Sequence, residues 1–146
     1  MKRPAYWICA LGLALAAWPL SRPAASPRCY PATRFVVLAG GMVRDTLTRL
    51  LWQQQASTVQ MNRTAAGQYC SSVGLRLPTA KELRSLLDLT VGASPMINRT
   101  AFPDAPRGGF WTSTLGGNET AWLVDFEYGT SKADDMAKAF WVRCVQ

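Results

Sequence analysis

The chain contains no histidine. That absence removes the Ser-His-Asp and Cys-His nucleophilic schemes and every metal site that needs an imidazole. Charge is also sparse, 17% of residues, with 16 basic against 9 acidic side chains. The basic residues are scattered, and no run of like charge marks a nucleic-acid arm, so nucleic acid is not an expected partner. No internal repeat, low-complexity tract or collagen-like Gly-X-Y stretch is present. The longest apolar run, Ala5 to Leu20, covers 16 residues, whereas a helix crossing a bilayer core needs about 20.

That run is better read as a leader. Lys2 and Arg3 supply a positive start, Pro19 breaks the apolar run near its end, and Ala24, Ala25 and Ser26 are small residues suited to signal peptidase. Residues 1–26 are therefore expected to be a signal peptide, the chain to be exported (periplasmic, cell-surface or secreted), and no membrane span to remain after cleavage. Removal of Lys2, Arg3 and Arg22 with no acid lowers the formal charge from +7 to +4. What remains has the length of one domain with its own core. A mild positive bias favours an acidic polysaccharide or an anionic envelope surface as partner.

Cysteine count adds a second constraint. Cys9 leaves with the leader, and Cys29, Cys70 and Cys144 stay, an odd number in an oxidising compartment. The expected pair is Cys70 with Cys144, the first on an expected helix and the second on the last expected strand, which ties the chain's end to its middle. Cys29 is then left over: free, paired between chains, or missing an ancestral partner.

Along the chain, residues 27–33 read as a flexible lead-in. Phe35 to Leu38, Met42 to Asp45 and Leu50 to Gln53 read as short strands, with Gly40-Gly41 and the polar Asp45 to Thr48 as turns. Met61, Ala65, Tyr69 and Val73 recur at helical spacing, with Asn62 near the start and Gly74 as the stop. Pro78 restricts Leu77 to extended backbone, and Thr79 with Glu82 spells a capping box, so a second helix is expected over Ala80 to Leu89. A long Gly, Pro, Asn and Ser-rich loop follows to about Gly109, pinned by Met96, Ile97 and Phe102. Phe110 to Thr114, Ala121 to Phe126, Tyr128 to Lys132 and Phe140 to Val145 then read as strands, with turns at Gly116-Gly117-Asn118 and Glu127 to Gly129. The order predicts an α+β domain with two helices and short, mostly antiparallel strands.

Carboxylate pairs are the remaining catalytic resource. Asp125 with Glu127, and Asp134 with Asp135, are the adjacent acids. Asp125 lies in an apolar strand and is more simply a partner for Arg143 or Arg76. Asp134 and Asp135 offer two ligands where a hard cation needs about six, and read as a solvated loop. No catalysis, metal or cofactor is expected. Trp52, Trp111, Trp122 and Trp141 sit beside aliphatic neighbours and are expected in the core, although Phe110 and Trp111, like Phe140 and Trp141, must point to opposite faces of a strand. Arg76 and Arg143 are read as structural. The three Asn-x-Thr triplets at Asn62, Asn98 and Asn118 are read as chance sequons.

In combination, Asp45, Thr48, Leu50, Trp52 and Gln53, then Tyr69-Cys70, Arg76 to Leu83, Phe102-Pro103, Phe110 to Thr114, Trp122 to Phe126 and Val142 to Val145 occur in an order that resembles the Lcl C-terminal domain family over residues 34–146. This bacterial domain is similar to C-type-lectin-like folds. The resemblance implies an exported or surface module with Cys70 bonded to Cys144, and relatives on adhesins that bind glycosaminoglycan-type polysaccharide. The chain departs from that pattern in lacking a collagen-like stalk, in carrying Gln53-Gln54-Gln55 where some relatives have a cysteine, and in lacking the Glu-Pro-Asn, Gln-Pro-Asp and Trp-Asn-Asp signatures of calcium-dependent lectins. The expected function is a noncatalytic binding module for an acidic polysaccharide or envelope glycan, contacted by Arg99, Arg107, Lys132 and Lys138. The alternative is a structural protein of the envelope that docks another protein.

Overall fold

Alternation decides the first sheet. Val43 and Trp52 face each other across two adjacent strands and are fully buried, while their neighbours Arg44 and Leu51 turn the other way. In the computed structural model, which describes residues 34–146, these strands are β2 (Met42–Asp45) and β3 (Leu51–Gln53), joined by β1 (Phe35–Leu38) in an antiparallel sheet of order β1-β2-β3. The expected leader, the 27–33 lead-in and Cys29 lie outside the described residues.

Helix α1 (Arg63–Ser72) starts at Asn62, whose side chain accepts the Ala65 N–H at 2.9 Å, and stops at Val73 before Gly74 at φ +73°. It is shorter than the periodicity suggests at its N-terminal end, because Met61 exchanges both backbone hydrogen bonds with Phe140 instead. Helix α2 (Ala80–Arg84) carries the complete capping box, with Thr79 accepting from the Glu82 N–H and Glu82 accepting from the Thr79 N–H. It ends well before Leu89. The Leu86 and Leu87 N–H groups bond three residues back, and Leu87 and Asp88 then pair with the 96–97 segment.

The second sheet, β4 (Gly109–Gly117), β5 (Thr120–Asp125) and β6 (Thr130–Asp135), is antiparallel throughout. Gly116 and Gly117 belong to β4, and the turn sits at Asn118 and Glu119, both at positive φ. β6 starts later than Tyr128, so Asp134 and Asp135 are strand residues and not a loop. The chain is thus an α+β domain of two helices and six antiparallel strands among the described residues.

The expected last strand, Phe140 to Val145, does not form as one. Its backbone is divided among several partners: Phe140 bonds Met61, Trp141 bonds Gly109 and Trp111, Val142 accepts from Ser57, and Val145 pairs with Arg76. This stitched segment joins both sheets, and the Cys70–Cys144 disulfide, with Cα atoms 5.5 Å apart, fixes it to α1.

The core divides along β4. Phe110 points into a cluster with Trp52, Leu83, Phe102, Phe126 and Val124, and Trp111 into a second with Ala66, Cys70, Leu123, Val142 and Cys144. Both faces are covered, so both rings are buried. Two tryptophans depart from the expected burial. Trp122 is 38% exposed, on the face of β5 that Val124 shares but beyond the part that the first cluster covers, and Trp141 is half-buried at the edge of that cluster.

Candidate binding site

Arg143 is the one fully buried cation among the described residues. Its Nη1 donates to the carbonyl oxygens of Gln53 (2.7 Å) and Gln54, and its guanidinium lies 4.5 Å from the Phe102 ring centroid. Burial pushes its pKa down to about 9, opposed by the charge of Asp104, so it stays cationic at neutral pH. Asp125 is not its partner. That carboxylate instead accepts the N–H groups of Glu127 (2.8 Å) and Tyr128 (3.3 Å) in a turn after β5. Arg76 pairs with Glu82 at 2.8 and 2.9 Å, not with Asp125.

Above this region, Gln55, Thr58, Asp104, Pro106 and Trp141 line a depression of about 380 Å3, the scale of a small ligand pocket. The Trp141 indole N–H donates to the Arg107 carbonyl at 3.1 Å, which fixes the ring as a wall. Arg107 follows Pro106 and is exposed. Asp104, the charged lining residue, lies within the field of buried Arg143. The depression offers an aromatic face, amide and hydroxyl groups and one carboxylate, with the Arg107 backbone at its edge.

The four basic residues singled out from sequence separate into two groups. Lys132 (3.4 Å) and Lys138 (2.7 Å) both engage the Asp134 carboxylate, which sits below its ordinary pKa chiefly through the Lys138 hydrogen bond. Arg99 and Arg107 are exposed on the loop between α2 and β4 and form no ion pair among the described residues. No hydrogen bond or ion pair among the described residues joins them to the lysines. The contribution of Gln55, Asp104 and Trp141 is not visible in the sequence except in one signal: Trp141 follows Phe140, and only one ring of such a pair can face a given core.

Asn62 and Asn98 accept hydrogen bonds from the Ala65 and Ala101 N–H groups, and so have local structural roles. Among the described residues no three metal-ligating side chains converge, and no helix is long and apolar enough to cross a membrane. The family model described as the Lcl C-terminal domain matches residues 41–146. No curated protein matches the chain.

Proposed function

The chain belongs to the Lcl C-terminal domain family, and from that premise we propose that it is a noncatalytic, exported binding module for an acidic polysaccharide or envelope glycan, built on a C-type-lectin-like fold. The chain's closing segment held beside β3, with short helices between two small sheets, supports the fold reading. The observation that carries the functional reading is the depression walled by half-buried Trp141, whose indole is fixed by the backbone of exposed Arg107. Arg99 lies on the same loop and adds charge for a polymer that extends past the cleft. Lys132 and Lys138 contribute less, since Asp134 already engages both. The absence of histidine and the turn role of Asp125 support a binding module over a hydrolase.

The test is retention of the purified protein on an immobilised acidic polysaccharide. Retention is expected to weaken as salt rises, because rim charges are screened over about 10 Å at 0.1 M. Arg107→Ala should lower affinity about tenfold, the worth of one charge-assisted hydrogen bond. Absence of retention at low salt, together with docking to an envelope protein, would establish the structural alternative instead.

A further inference from the structure

Each of the two sheets has two edge strands, and an edge presents unpaired backbone groups on which another strand can add. Among the described residues, all but one of these edges are covered or guarded. The Leu51 and Gln146 backbones exchange hydrogen bonds along β3, and the Gln53 N–H donates to the Cys144 carbonyl. Along β4, Trp111 and Gly109 bond the Trp141 backbone, and the Ser113 N–H donates to the Pro78 carbonyl. β6 carries Lys132, Asp134 and Asp135, and charge on an edge discourages pairing. β1 has neither cover nor guard: its sequence, Phe-Val-Val-Leu, holds no charge and no proline.

The ladder fixes which backbone groups of β1 are free. The Thr46 N–H donates to the Arg34 carbonyl at 2.8 Å, and the register runs from Phe35 opposite Asp45 to Leu38 opposite Met42. Hydrogen-bonded positions alternate along an antiparallel pair, so Arg34, Val36 and Leu38 bond toward β2, and Phe35 and Val37 turn their N–H and C=O groups outward. The far side of β2 shows the complementary set, since Gly41 and Asp45 bond Gln54 and Leu50 of the third strand's side. Val36 and Val37 are 38% and 51% exposed. Arg34, the cation next to β1, is neutralised by buried Asp45 at 2.7 Å.

We infer that this edge is covered by a second copy of the chain, β1 against β1, about a two-fold axis that passes through Val36. An axis normal to the sheet sets two identical edges antiparallel and makes the contact self-complementary. Centred on Val36, each Phe35 exchanges its outward N–H and C=O with the second copy's Val37, and the two Val36 side chains meet on one face. Centring on Phe35 or Val37 would send half of those bonds beyond the strand. No charged side chain of β1 enters the contact, and the two sheets become one of six strands. Because β1 is 4 residues long, the interface is small and the association weak, with half the chains paired at about 0.1 mM. β1 contributes nothing to the Trp141 depression, and the inference does not rest on the glycan reading.

The test is sedimentation equilibrium of the purified Cys29→Ser protein, which lacks the leftover thiol, from about 10 µM to about 1 mM. The average mass should rise from one chain toward two. Val37→Pro removes an N–H that the ladder does not use, so the fold and its thermal midpoint should be kept while pairing weakens at least about tenfold. Val36→Cys in the same background should form a disulfide-linked dimer, because residues opposite at the axis have Cα atoms about 4.5 Å apart. Val37→Cys, set diagonally from its copy at about 7–8 Å, should link at least about ten times more slowly. A mass that stays at one chain throughout, equal linking by the two cysteine variants, or undiminished pairing in Val37→Pro overturns the inference. So does pairing that arises only after residues 27–33 are deleted, which would assign the edge to the chain's own lead-in.

Discussion

Glu82 shows how much one side chain can organise. It caps α2, pairs with Arg76 and, chiefly through the Arg76 hydrogen bonds, has its pKa lowered to about 2. Asp45 is held below its usual range as well: burial would raise it, but the Arg34 guanidinium and the Leu47 and Thr48 groups outweigh that. Both groups have folded-state pKa values below their unfolded ones. Their stabilisation is therefore complete above about pH 4.5 and is lost as pH falls toward 2. Urea midpoints measured at pH 7 and pH 3 should differ, and Glu82→Gln should make that difference smaller while costing about 1 kcal/mol at pH 7, since Arg76 is half exposed. Arg143→Met is expected to cost more, about 2–3 kcal/mol by chemical denaturation, because the buried Gln53 and Gln54 carbonyls lose their donor and Phe102 its cation.

At the scale of elements, the β5–β6 turn and the two exposed-or-buried tryptophans test the packing. A Cβ on Gly129 would lie 2.6 Å from Leu89 Cδ2 and 2.8 Å from Met96 Sδ, at a φ of +67°. Those atoms end flexible side chains and can move, so the backbone conformation dominates, and Gly129→Ala should cost about 1 kcal/mol in thermal unfolding. Trp111→Ala should cost about 3–5 kcal/mol, whereas Trp122→Thr, at a ring that is 38% exposed, should cost less, about 1–2 kcal/mol. The elements most legible in the sequence were those with local chemistry of their own: the Thr79–Glu82 box, the Asn62 cap and the alternation of Phe110 with Trp111. The Phe140–Val145 segment was illegible as what it is. Its apolar composition is that of a strand, but its hydrogen-bond partners, Met61, Gly109, Ser57 and Arg76, are set by tertiary placement that no local window contains. Trp122 differs from expectation for a related reason: it is 38% exposed although Val124 on the same face of β5 is fully buried, so what covers each position is set by tertiary placement and not by sequence neighbours.

For the molecule as a whole, the disulfide spans 74 residues, and closing such a loop is worth about 4 kcal/mol on the chain-entropy model. It also secures the stitched segment that carries Trp141, Arg143 and Cys144, so the cleft and the core share one anchor. The candidate site is only partly legible because it is assembled from three remote stretches, Gln55 to Thr58, Asp104 to Pro106 and Trp141. Charge marked Arg107, but only the fold brings an aromatic wall to it. The most direct test follows the indole N–H resonances of the purified protein by NMR during titration with a hyaluronan hexasaccharide. The Trp141 signal should shift saturably while those of buried Trp52 and Trp111 stay in place. Binding that leaves Trp141 unmoved, or that shifts Trp122 in its stead, would contradict the assignment of the cleft as the ligand site.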